Sequence, residues 1–261
     1  MSGAILWMHD LSAHADAALH AVRALALLDD APVVVGFARL PEGLSGGHDP
    51  DTELERVATL LRRDGLDVAV RVSAGRPEDL AARWAREEGA RVVVLRASRV
   101  SGIDRFLVGS TARRILRAVS CSTMVVCARP LHTLRSIVVP VDIEHRDDTA
   151  LVRAAELSAG SGAAVTVLSV VLAGDDEHDL TQAEIRVRTH AERALGGRLP
   201  DNWSFRALLA ETAQEGILFA AEDQDLVVLT SHGRTGLARL LEGSVAEDVV
   251  DQCPVSVLVA R

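Results

Sequence analysis

The amino-acid sequence predicts an α/β protein of two tandem domains, each built on a doubly wound parallel sheet. The first observation behind that expectation is an internal repeat. Val92–Cys127 and Leu226–Arg261 align over 36 positions without a gap, 134 residues apart, and 11 of the positions are identical. Self-similarity of this kind marks one fold used twice. The second is composition: 48% of residues are hydrophobic but only 3% are aromatic. The cores are therefore built from Val, Leu, Ala and Ile, which suits parallel strands buried under helices on both faces. The third is the alternation of short Val-rich runs with stretches of helical period. A chain of 261 residues holds two such domains, and either half is long enough to bury its own core.

Each element follows from local pattern. Ala4 to Met8 is an apolar run that reads as a strand, Asp10 follows it, and Ala13 to Leu28 carries Ala and Leu at helical spacing. Val33 to Phe37 reads as a second strand, and Leu40 to Asp51, rich in Gly and Pro, as a loop. Thr52 to Asp64 has the helical period and stops at Gly65. A strand at Val68 to Val72, a helix opened by Pro77 and closed near Gly89, and a strand at Val92 to Leu95 come next. A helix from Ser110 and a strand at Thr123 to Cys127 complete the half. The second half repeats the order, with strand Ile137 to Val141, helix Asp148 to Ala159, strand Val165 to Val171, a polar loop at Gly174 to His178 and a long helix to Leu195. Strand Ser204 to Leu209, helix Thr212 to Ala221, strand Leu226 to Thr230, a helix from Ser244 and strand Val255 to Ala260 follow. The domains span residues 1–129 and 136–261, with a linker at 130–135 inside the stretch ARPLHTLR. Right-handed crossovers make each half doubly wound and put a ligand site beyond the carboxyl ends of the strands, near the switch in strand order.

Composition excludes several functions. The net charge is −9 and no long basic run occurs, so the electrostatic footprint of a nucleic-acid binder is missing. No run of 18 or more apolar residues and no basic-then-apolar leader is present, which argues against membrane spans and secretion and makes the cytoplasm the expected compartment. Three cysteines, Cys121, Cys127 and Cys253, sit among apolar neighbours, and an odd number is a poor disulfide framework, so buried thiols are expected. All 28 basic residues are Arg. Without Lys the chain cannot be a P-loop ATPase or a Schiff-base enzyme.

The chemistry concentrates after the strand Leu226 to Thr230. There the chain reads Thr230-Ser231-His232-Gly233, then nine residues, then Gly243-Ser244 at the start of a helix. Gly233 and Gly243 lack a Cβ, so backbone amides can come close to an anion. Ser244 offers a hydroxyl at a helix start whose N–H groups and dipole favour negative charge. The spacing points to a polyphosphate, the alternative being a surface loop with a Gly-Ser helix cap. Arg234 and Arg239 are the cations of the spacer, either approaching the outer phosphates or solvated on the loop.

On these residues the second half resembles the universal stress protein family, whose mark is G-x2-G-x9-G-[ST] after the fourth strand, and the whole chain looks like a tandem member. Gly233, the nine-residue spacer and Gly243-Ser244 match, whereas Thr230 stands at the first glycine and its β-branch limits how near a phosphate or ribose can come. The resemblance implies a Rossmann-like, adenine nucleotide alpha hydrolase-like fold. It also implies that Asp142 in IVVPVD faces the adenine or ribose of a bound nucleotide, with Pro140 and Val141 lining the base pocket. Val170 would pack on the base, and Leu229, Val245 and Ala246 would complete the pocket. Read without the family, Asp142 either accepts from a ligand amino or hydroxyl group or caps the next helix, and Val170 is a core residue. His232 is assigned no catalysis.

The first half departs further. Arg96 and Arg99 replace the two glycines, Gly109-Ser110 remains, and Asp10 stands where Asp142 stands in the other half. Large side chains where backbone must touch phosphate block that binding mode, so the first half is expected to be empty or to hold an anion through the arginines. Ser73-Ala74-Gly75-Arg76-Pro77 resembles the family's turn before the third helix. The stretch Ser45-Gly46-Gly47-His48-Asp49 resembles the loop of ATP pyrophosphatases, but it follows the second strand rather than the first.

The expected function is that of a regulatory stress protein binding ATP, ADP or AMP in its second half, with Mg2+ carried on the phosphates and no turnover beyond slow ATP hydrolysis. Two alternatives stand beside it: a nucleotide-independent scaffold of the same fold, and an enzyme of the pyrophosphatase or flavoprotein type. The family also implies an intramolecular pseudo-dimer paired through Thr123 to Cys127 and Val255 to Ala260, and a homodimer of the whole chain.

Overall fold

Where Val, Ile and Leu run on without polar interruption the chain forms strands, and their pairing is parallel, as burial on both faces favours. The computed structural model describes residues 3–11, 16–39, 49–99, 106–127, 131–143, 147–173, 179–230 and 245–261. The chain divides into two compact units, Met1–His132 and Thr133–Arg261.

Unit 1 contains β1 (Ile5–Met8), α1 (Asp16–Asp29), β2 (Val33–Arg39), α2 (Pro50–Arg63), β3 (Val68–Ala74), α3 (Pro77–Glu87) and β4 (Val92–Arg96). A short antiparallel ribbon of β5 (Ser98–Arg99) and β6 (Phe106–Leu107) follows, then α4 (Ser110–Ala118) and β7 (Ser122–Val126). Its parallel strands lie in the order β3-β2-β1-β4-β7. Unit 2 contains β8 (Ser136–Pro140), α5 (Thr149–Ser161), β9 (Ala164–Leu172), α6 (Leu180–Ala194), β10 (Trp203–Ala210), α7 (Ala213–Ala221), β11 (Leu226–Thr230), α8 (Val245–Gln252) and β12 (Ser256–Ala260). Their order is β10-β9-β8-β11-β12, the same topology. In each unit the order reverses between the first and fourth strands, which is the switch point.

The helix ends follow from side-chain chemistry. Asp49 caps α2, accepting from the Asp51 N–H at 3.2 Å and the Thr52 hydroxyl at 2.7 Å. The Thr52 hydrogen bond is the main cause holding the Asp49 carboxyl below its ordinary value. With Pro50 in the first turn, this cap starts α2 two residues ahead of the expected Thr52. Asp179 and Thr212 cap α6 and α7 through the N–H groups of Gln182 and Glu215. Gly162, in the left-handed region at φ 76, ends α5 and stands two residues beyond the expected Gly160. The β5–β6 ribbon was not expected, since two residues per strand carry no readable period.

The two units pack corresponding elements with the bulk on opposite sides. Asp10 and Asp142 set the correspondence, so Met8 matches Pro140, and the sheet register then matches Gly36 with Leu168 and Ala38 with Val170. Counting from the N-caps Arg76 and Thr212, Leu80 matches Gly216 and Trp84 matches Ala220. In unit 1 the strand is small and the helix large: a Cβ at Gly36 would stand 2.8 Å from the Trp84 ring. In unit 2 the helix is small and the strand large, for a Cβ at Gly216 would stand 2.7 Å from both methyls of Val170. Trp84 is buried, so the ring cannot swing away. Gly36→Ala is expected to destabilise unit 1 by about 1–3 kcal/mol through overpacking, seen as a lower urea midpoint for that unit's transition; an unchanged midpoint would contradict this reading of the contact.

Candidate functional site

At the switch point of unit 2, β8 leads into α5, which packs with α6, while β11 leads toward α8, which packs with α7. The two neighbouring strand ends therefore send their chains to opposite faces of the sheet and leave a crevice between them. On the β8 side, Pro140 and Val141 are half-buried and Asp142 is exposed. Val141 donates its N–H to the Leu168 carbonyl at 2.8 Å, and β9 continues beyond that point to Leu172 as a wall carrying half-buried Val170. On the β11 side, Thr230 is 9% exposed, and its hydroxyl accepts from the Ala150 N–H in the first turn of α5 at 3.3 Å.

The first turn of α5 is held from other directions as well. The Asp147 carboxylate accepts from the Thr149 N–H at 3.1 Å and the Thr149 hydroxyl at 2.6 Å. Asp148 lies 2.9 Å from Nε2 of His190, a buried residue of α6. Nδ1 of His190 lies 2.9 Å from the Arg193 guanidinium, which can only donate. Nδ1 is thus the acceptor in that contact. Asp147 accepts at the start of α5, and Asp142 stands exposed at the end of β8.

Of the residues expected at the site, Pro140, Val141, Asp142 and Thr230 stand together at adjacent strand ends, with Val170 on the wall. Leu229 is only 5% exposed and belongs to the floor under the site. Val245 is exposed and Ala246 half-buried at the start of α8. Gly233, Gly243 and Ser244, with His232, Arg234 and Arg239, lie outside the described residues, as does Ser45 to His48 of the pyrophosphatase-like stretch. His190 and Gly216 carried no motif in the sequence, and the fold brings His190 against Asp148 and Gly216 against Val170.

Unit 1 carries an ion pair at the corresponding place. The Arg96 side chain is 10% exposed and reaches Asp10, Nη1 to Oδ2 3.4 Å, across the gap that separates the first and fourth strands. These are the counterparts of Thr230 and Asp142. Such a half-exposed pair is worth on the order of 1 kcal/mol or less, and it sets two charged side chains at the ends of the first and fourth strands. Behind it His9 is buried, accepts from the Leu11 N–H at 3.0 Å through Nδ1, and packs on Trp7 with ring centroids 4.7 Å apart. The side chain of Arg99 lies outside the described set.

Elsewhere, the groove along α2 lined by Asp51, Glu55, Arg56 and Arg63 is a solvated charged surface in which Arg39 pairs with Asp51 and Arg62 with Glu55. Among the described residues, no group of three or more His, Cys, Asp or Glu could hold a metal ion, and no helix is long and apolar enough to cross a membrane. Cys127 and Cys253 are buried thiols, as expected, whereas Cys121 is half-buried because it precedes β7.

A doubly wound α/β unit, used twice and with a crevice at its switch point, is the class of protein that fold and site define. The universal stress protein family model matches residues 1–127 and 133–261. The chain belongs to the universal stress protein family, with two copies of its domain in tandem. A universal stress protein of Mycobacterium tuberculosis H37Rv is 28% identical over 201 residues, covering 66% of this chain and 62% of the relative's length. Among solved structures, a universal stress protein from Archaeoglobus fulgidus matches with a TM-score of 0.78 at 20% identity, over 100% of this chain and 99% of the other. A universal stress protein of Pseudomonas aeruginosa UCBPP-PA14 matches with a TM-score of 0.72 at 19% identity, over 99% and 93% of the two chains.

Two outcomes follow from this geometry. Thr230→Val removes an acceptor from the first turn of α5 and is expected to cost about 1 kcal/mol, whereas Thr230→Ser keeps it; equal urea midpoints for the two variants would contradict the assignment. Burial pushes the Cys253 thiol from its ordinary 9.0 up to about 11. The folded chain therefore resists ionising this group, and stability present below pH 9 is lost as pH rises from 9 toward about 11. Alkylation followed by mass spectrometry at pH 8.5 should spare Cys253 until denaturant is added; rapid labelling of the native chain would contradict its burial.

Proposed function

We propose that the chain is a regulatory universal stress protein of the cytoplasm that binds one adenine nucleotide, ATP in preference, in unit 2 without substantial turnover. The observation that carries this reading is the exposed Asp142 carboxylate at the end of β8, beside the half-buried apolar surfaces of Pro140, Val141 and Val170. A carboxylate there accepts from the amino or hydroxyl groups of a nucleoside, and the apolar surfaces suit a flat base. The nine-residue spacer between Gly233 and Gly243-Ser244 supplies, by sequence, backbone for the phosphates. Thr230 does not argue against binding, because its hydroxyl is directed at α5. With no metal cluster among the described residues, Mg2+ would arrive on the phosphates.

A nucleotide-independent role is favoured for unit 1 by the Arg96–Asp10 pair. Titration calorimetry with ATP and Mg2+ is expected to give one site per chain, abolished by Gly243→Val and kept by Gly109→Val. Binding lost through Gly109→Val, or two sites per chain, would shift the assignment to unit 1. No heat with ATP, ADP or AMP would leave the scaffold reading in its place.

A further inference from the structure

Among the described residues, the wall of the unit 2 crevice is made by β9. β8 ends at Pro140, opposite Leu168, whereas β9 runs on to Leu172 with only β10 beside it, Val170 lying opposite Leu208. Alternate residues of a strand share a face, so Val170 lies on the Leu168 side, under α7. The flank of β9 that β8 leaves uncovered opens on the crevice.

Gly216 sits in the first half of α7, where glycine costs about 1 kcal/mol relative to alanine. Its contact with Val170 accounts for it. An added Cβ would stand 2.7 Å from both Val170 methyls and 3.3 Å from the Val170 Cβ. The two methyls therefore straddle the bare helix backbone, and a β-branched side chain so held is confined to one orientation about χ1. Any side chain at 216 must turn Val170 or push the free end of β9 away from α7, and either movement alters the wall.

We propose that Gly216 is a positioning residue for the base-binding wall of unit 2: by seating both methyls of Val170 against α7, it keeps the crevice above β8 open to a flat ring. This rests on the nucleotide reading above. Unit 1 agrees with it from the opposite side. Its matching pair is Ala38 and Leu80, so the strand offers only a methyl group at the wall and the bulk sits on the helix, in the same unit that pairs Arg96 with Asp10 at its strand ends.

The test is calorimetry of the full chain with ATP and with CTP, for the parent, Gly216→Ala and Gly216→Ala with Val170→Ala. Gly216→Ala is expected to weaken ATP about tenfold, a size consistent with one overpacked contact, and to narrow the preference for ATP over CTP. Adding Val170→Ala should restore folding midpoint without restoring that preference, since the wall is then missing. Should Gly216→Ala fail to fold, Val170→Ile crowds the same contact from the strand and is expected to give the same loss. Unchanged ATP affinity in the folded variant, or an equal loss for ATP and CTP, overturns the proposal alone. No binding of ATP by the parent overturns the nucleotide reading and this proposal with it.

Discussion

Unit 2 depends on the pairing of β8 with β11, because these two strands diverge to opposite faces and their ends define the crevice. Hydrogen bonds hold the pair at both ends. At the amino end the Asp225 carboxylate accepts from the N–H groups of Arg135 and Ser136, at 2.8 and 3.1 Å, while Asp225 donates its own N–H to the Ser136 carbonyl at 3.2 Å. At the carboxyl end Thr230 accepts from the first turn of α5. A one-residue slip would turn Leu229 and Thr230 to the opposite faces, replacing a buried floor with a hydroxyl and losing the hold on α5. The chemistry offered by Asp142 is therefore a consequence of register, and register is set far below the site.

The two repeats show how one topology accepts different interiors. Between second strand and third helix the space to be filled is similar, and it is filled from the helix in unit 1 and from the strand in unit 2. Cores tolerate such exchanges when volume and pattern are kept. The surface consequence is larger than the energetic one. Moving bulk to the strand gives unit 2 a branched apolar side chain at the rim, and moving it to the helix gives unit 1 a bare one. The Arg96–Asp10 pair has the same character, for its contribution to stability is small by magnitude while it changes the charge and bulk at the strand ends of unit 1.

Much of this architecture was legible in the sequence because the signals are local. Val92 to Leu95 and Leu226 to Leu229 could hardly be anything but buried strands, Pro77 opens α3, and Thr212 caps α7 one residue from where the helical period begins. Asp142 and Thr230 were singled out through the family resemblance, and both stand at strand ends. What was not legible depends on partners distant in the chain. Arg96 meets Asp10 across 86 residues, and Gly216 meets Val170 from another layer. Leu229 was expected in the pocket through the family resemblance alone, and its burial to 5% exposure comes from a central strand covered on both faces. Gly216 reads in the sequence only as a weak point in a helix, and its meaning lies in the two methyls pressed against it.

Electrostatics bears on how a nucleotide would be held by such a chain. The net charge of −9 repels a polyphosphate at long range, and Glu247 and Asp248 already occupy the first turn of α8, where a helix dipole favours negative charge. Two carboxylates so placed oppose the approach of a further negative charge to that turn. The attraction must then come from close contacts, from glycine backbone that can approach the oxygens and from a divalent cation carried on the ligand, which offsets charge where no Lys is present to do so. Under the nucleotide reading, a divalent cation carried on the phosphates would be an electrostatic condition of binding, because it offsets the like charge that Glu247, Asp248 and the acidic chain present to the ligand.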